Sequence, residues 1–131
     1  MIEYEFETSE ENKFLELVLF VHTAVIYSDS ILCEQEKVLT RQLIDSLFLS
    51  GYERPLILQL LSKCESFFMQ VLETAPDEYD DIFEAVLRQY LPGRQKKELD
   101  KLGQVMIRGA SADEKYHKHE RKLIRRFHNV V

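Results

Sequence analysis

The sequence predicts an all-α fold, a single compact bundle of about six to eight helices spanning residues 1–131, and three observations predict it. Apolar residues recur at helical spacing through most of the 131 positions. Only 4 Gly and 3 Pro interrupt them, too few for the tight turns of an all-β chain. Hydrophobic residues make up 45%, enough for one core in a chain of this length without disulfide or metal staples.

The elements follow in order. Thr8-Ser9-Glu10-Glu11 reads as a capping-box start, with Thr8 as the cap and Glu11 three residues on. From about Ser9 to Tyr27, Phe14, Leu17, Val18, Val21 and Val25 follow helical spacing. Leu15, Leu19, Phe20 and Ile26 fill the other faces, which predicts a central, surrounded helix. Ser28-Asp29-Ser30 breaks it. A second helix is expected from about Glu34 to Ser50, with Val38, Leu39, Leu43 and Leu47 inward and Gly51 as its stop. A third begins near Pro55, a residue suited to the first turn, and runs to about Glu73. A fourth spans about Asp77 to Tyr90, with Asp77, Glu78, Asp80 and Asp81 early in it, and Leu91-Pro92-Gly93 ends it. A fifth covers about Arg94 to Arg108 and carries Leu99, Leu102, Val105 and Met106. Gly109-Ala110-Ser111 reads as a loop, and a last helix carries Leu123, Ile124 and Phe127 from about His117 to the end.

The first residues, Met1-Ile2-Glu3-Tyr4-Glu5, are acidic where a secretory signal would be basic. The most apolar run, Phe14 to Tyr27, is interrupted by Glu16 and His22 and is too short to span a bilayer. A cytoplasmic location is therefore expected, with Cys33 and Cys64 as free thiols.

Two stretches about 84 positions apart resemble each other. In each, an apolar helix leads to a loop ending in Asp (Asp29, Asp113), and a Glu (Glu36, Glu120) follows seven residues later with a basic neighbour (Lys37, Arg121). This predicts two helix-loop-helix units related by a pseudo-two-fold axis, with the third and fourth helices between them. The pattern resembles the tellurite-resistance TerB-like family over roughly Phe14 to Phe127. The resemblance implies an all-helical domain with two acidic helix-loop-helix segments. It also implies an association with tellurite and chemical-stress systems at the cytoplasmic membrane, and acids suspected of binding a metal. Carried over by residue, the metal-site candidates are Asp29, Glu36, Asp113 and Glu120. Ser30 and Glu114 stand where the family usually has Gly, and Cys33 and His117 where it tends to have an acid or small cap.

The same four carboxylates have two physical readings. As oxygen ligands they would suit a hard divalent cation, the single cofactor the chain suggests. As structural groups, each Glu in a first helical turn accepts from exposed backbone N–H groups and answers the helix dipole, while each Asp fastens its turn. Capping accounts for the spacing without a ligand and is the expected role. Neither loop is an EF-hand: positions six and twelve are Glu34 and Thr40 counted from Asp29, and Lys118 and Ile124 from Asp113.

His117 and His119, two apart on a helix, point to different faces and do not form a transition-metal pair. His22 is expected to be a core or interface histidine bonded to a neighbour. Cys64, beside Phe67 and Phe68, reads as a small buried hydrophobe. No phosphate loop, nucleophile elbow or zinc-protease motif occurs, so no enzyme is expected. The net charge of -6 argues against general nucleic-acid binding. Charge is nonetheless divided: residues 94–131 hold 11 Lys and Arg against 5 acids, and residues 1–93 hold 6 against 18. The favoured consequence is attraction between the halves within the fold, with an interaction surface second. The function expected is thus a non-enzymatic domain acting through a protein partner or self-association. The alternatives are divalent-metal binding, and nucleic-acid or anionic-membrane contact through the basic last helix.

Overall fold

A computed structural model describes residues 2–6, 9–28, 34–110 and 118–131. The fold is all-α: six helices, with no strand among the described residues. They are α1 (Glu10–Ile26), α2 (Glu34–Leu49), α3 (Arg54–Thr74), α4 (Tyr79–Tyr90), α5 (Lys96–Ala110) and α6 (Lys118–Val130).

Helix α1 is the axis of the bundle, because its apolar residues leave no polar face. Every residue from Leu15 to Ile26 is buried. Its principal neighbours are α3 and α5, while α6 packs on α4 and α5. Phe20, fully buried, centres an aromatic cluster with Phe68 at 4.9 Å, Tyr4 at 5.0 Å and Phe83 at 6.0 Å between ring centroids. Such ring pairs add to the area they bury.

Several boundaries differ from the sequence expectation for identifiable reasons. Ser9 holds the cap position of α1 and its side chain makes no capping bond, while Thr8, the expected cap, lies outside the described residues. Glu10 and Glu11 lie in that first turn, where their charges answer the dipole without a capping box. The fourth helix does not begin in α geometry at Asp77. Pro76–Glu78 forms a 3₁₀ turn, closed by Glu78 N–H donating to the Ala75 carbonyl at 3.0 Å, and α4 follows it. Helix α5 begins two residues later than expected, after a turn through Gly93 at φ 89°. It then continues through Gly109 and Ala110, which the sequence places in a loop. Gly109 is there for proximity: a Cβ would lie 3.2 Å from Val25 Cγ1, so α5 approaches α1 closely at this point.

Helix α2 departs most. Of Val38, Leu39, Leu43 and Leu47, only Leu47 is buried; Leu39 and Leu43 are half-buried and Val38 is 42% exposed. The helix packs principally on α3, so one row of side chains is covered rather than a broad face.

Glu16, which interrupts the apolar run of α1, is fully buried and paired. It accepts hydrogen bonds from Tyr4 Oη and from Lys63 Nζ, the latter at 2.8 Å. Tyr4 Oη also lies 3.2 Å from Cys64 Sγ, and Lys63 Nζ donates to the Glu5 carbonyl. The N-terminal segment is thereby tied to α1 and α3, placing Tyr4 and Phe6 in the core. Across the bundle, Arg126 of α6 pairs with Asp81 at 3.0 Å and Glu84 at 3.4 Å on α4, and Arg94 lies 3.5 Å from Glu10. Part of the division of charge is therefore resolved within the fold. No helix among the described residues is long and apolar enough to cross a membrane.

Candidate functional site

Three helical stripes face one another where α2 stands off α1. Residues at i, i+1, i+4 and i+5 of α1 (His22, Thr23, Ile26, Tyr27) share a side, as do Glu34, Lys37, Thr40 and Arg41 of α2, and Leu61 and Glu65 of α3. They enclose a cavity of about 430 Å³. Its walls are apolar at Ile26 and Leu61, and its rim carries charged side chains of α2 and α3.

The hydrogen bonds of the cavity fix which polar atoms can still donate. Thr40 Oγ1 donates to the Glu36 carbonyl at 3.0 Å, so its one hydrogen is committed. His22 Nε2 lies 2.8 Å from Thr40 Oγ1 and must therefore be the donor in that contact, which places the ring proton on Nε2. Thr23 Oγ1 donates to the Leu19 carbonyl at 2.7 Å. At the rim, Tyr27 Oη donates to Glu65 Oε2 at 2.9 Å, and Lys37 Nζ lies 3.3 Å from Glu34 Oε1. Among the described residues Arg41 forms no ion pair.

Burial governs the titration of this site. His22 is 2% exposed, and loss of solvent pulls its pKa down to about 4, so the ring is neutral at pH 7. Tyr27 is raised to about 12, first by burial and then by the Glu65 carboxylate it donates to. Cys64, in the Tyr4 and Glu16 cluster, is pushed up to about 12 chiefly by burial and stays a thiol.

Of the four metal-site candidates, Asp29 and Asp113 lie outside the described residues, as do Cys33 and His117. Glu36 is the third residue of α2 and Glu120 the third of α6, both in the first turn, as the spacing predicts. Both are buried, at 1% and 0% exposure. Their helices pack on different partners, α2 on α3 and α6 on α4 and α5. Among the described residues no three His, Cys, Asp or Glu side chains are placed to hold a metal ion together. His22 sits in the core with a hydrogen-bonded neighbour, as expected for a histidine on an apolar helix.

No family model, curated protein or solved structure matches this chain. The chemistry of the site is therefore carried by its own residues. Tyr27, Arg41 and Glu65 escaped the sequence reading because each sits on a helix whose dominant signal is apolar periodicity. The available signal was weak: Lys37 and Arg41, and Leu61 and Glu65, are i,i+4 pairs on two helices that turn out to face one another.

Proposed function

We propose that the chain is a non-enzymatic helical domain that acts through protein–protein contacts, in a cytoplasmic stress-response setting of the kind its TerB-like resemblance implies. The observation that carries this reading is the outer side of α2 and α3. Leu49 is 83% exposed, and Val38 and Phe48 on α2 and Leu58 and Met69 on α3 are also exposed. Val38 and Leu49 are eleven residues apart, as are Leu58 and Met69, so each pair lies along one line of its helix. Phe48 and Leu49 adjoin at the end of α2, and exposed apolar side chains that adjoin mark a contact surface where singly scattered ones do not. The pseudo-two-fold relation between the two helix-loop-helix units is supported by one contact. Val25 and Gly109, separated by the same 84 positions as Glu36 and Glu120, approach each other, as equivalent positions near a two-fold axis would.

The test places a photo-crosslinking residue at Leu49 and, as a control, at the exposed Lys97 on α5, in cells that make the protein. An adduct of one defined mass from position 49 alone, lost on Val38→Glu with helical content unchanged, supports the proposal. No adduct, or the same adduct from position 97, refutes it.

A further inference from the structure

We propose that the cavity between α1, α2 and α3 is a binding site for a small amphipathic carboxylic acid, held with its apolar body inward and its carboxylate at Arg41. Its volume of about 430 Å³ falls within the roughly 300–1,000 Å³ typical of small-molecule sites. The apolar body is specified by Ile26 and Leu61, both largely buried, and by the ring of Tyr27.

Orientation follows from the donors. An anion lodged deep in the cavity would meet Thr23, Thr40 and His22, each of whose identified protons is already donated, to Leu19, to Glu36 and to Thr40 in turn. A buried carboxylate without donors is strongly disfavoured. The neutral His22 ring supplies no compensating positive charge. At the rim the balance reverses. Glu34 is paired with Lys37, and the Arg41 guanidinium has no ion pair among the described lining residues; Glu65 accepts from the neutral Tyr27 hydroxyl, which occupies one of its oxygens but leaves its charge. A guanidinium presents a planar fork of donors that matches a carboxylate. The donor fork of Arg41 and the apolar wall together fit one apolar chain or ring bearing one carboxylate.

The site is independent of the protein-contact surface, and the assays use the isolated chain, so either proposal can fail alone. The probes are octanoate and octanol, followed by methyl NMR at Ile26 and Leu61 and by thermal melting. Octanoate is expected to bind saturably, to shift the Ile26 and Leu61 methyl signals, and to raise the melting temperature by mass action. Arg41→Gln, a change at an exposed position, is expected to weaken octanoate by roughly three- to tenfold while leaving octanol unchanged. Arg125→Gln, with the same loss of charge on α6, is expected to leave both unchanged. No methyl shift at Ile26 and Leu61, or equal effects of Arg41→Gln and Arg125→Gln, would each overturn the proposal.

Discussion

Acidification should unfold this protein partly through His22. The ring is buried between α1 and α2, donates to Thr40, and has its pKa pulled from 6.5 to about 4 by desolvation. Above pH 6.5 the ring is neutral in both folded and unfolded chains and contributes no pH dependence. Between pH 6.5 and 4 the unfolded chain binds a proton that the native ring refuses, so stability falls as pH falls, by about 1.4 kcal/mol per unit. The loss reaches about 3 kcal/mol by pH 4. That is a large share of the 5–15 kcal/mol by which native domains are typically stable. The lining of the two cavities His22 touches does not change the sign: Lys37, Arg41 and Arg108 would repel an imidazolium, while Glu34 and Glu65 stand in rim contacts. The assay is denaturant unfolding from pH 8 to 4 of the wild type and of His22→Gln, whose amide can still donate to Thr40. Taking the difference cancels the carboxylates common to both. The wild type should lose about 3 kcal/mol relative to the variant across that range, nearly all of it below pH 6.5. A difference that stays constant from pH 8 to 4 would refute the assignment of a buried, neutral His22.

Three further outcomes are expected. Gly109→Ala should destabilise by about 1 kcal/mol despite its better helix propensity, because its Cβ would press on Val25 Cγ1 at 3.2 Å; adding Val25→Ala should relieve that strain in a double-mutant cycle. Tyr4→Phe removes the hydroxyl that meets both Glu16 and Cys64 and should cost about 1–3 kcal/mol in denaturant unfolding, with an unchanged helical spectrum. Glu36→Gln and Glu120→Gln should each cost on the order of 1 kcal/mol, and the Ala variants more, equally with chelator and with millimolar divalent metal. A loss seen only with metal present would restore the ligand reading of Asp29, Glu36, Asp113 and Glu120.

The helices were legible because their signal is redundant. Phe14 to Ile26 is apolar on all sides, and that pattern alone predicts the central position α1 takes. The end of α5 was not legible, because Gly109 carries the same letter whether it stops a helix or admits a neighbour. Only the approach of Val25 decides between them. Glu16 was equally opaque. A single acid in an apolar run looks like an interruption until Tyr4 and Lys63, twelve positions before it and forty-seven after it, are seen to converge on it.

Helix α2 joins these threads, because its partial cover accounts for both functional features. A 16-residue helix that buries only Glu36 and Leu47 leaves apolar side chains on its outer line and space beside its buried row. The outer line supplies Val38 and Leu49 for a partner, and the row flanking the buried one supplies Lys37, Thr40 and Arg41 to the cavity. Stronger packing would have required apolar residues at 37, 40 and 41. Lys, Thr and Arg there forgo burial, and in exchange they provide a hydroxyl for His22 and a guanidinium at the rim. Replacing Arg41 with Leu should therefore stabilise α2 against α3 while abolishing the preference for a carboxylate. A site held open at the expense of packing predicts that opposition; a loosely packed helix without a binding role predicts only the first effect.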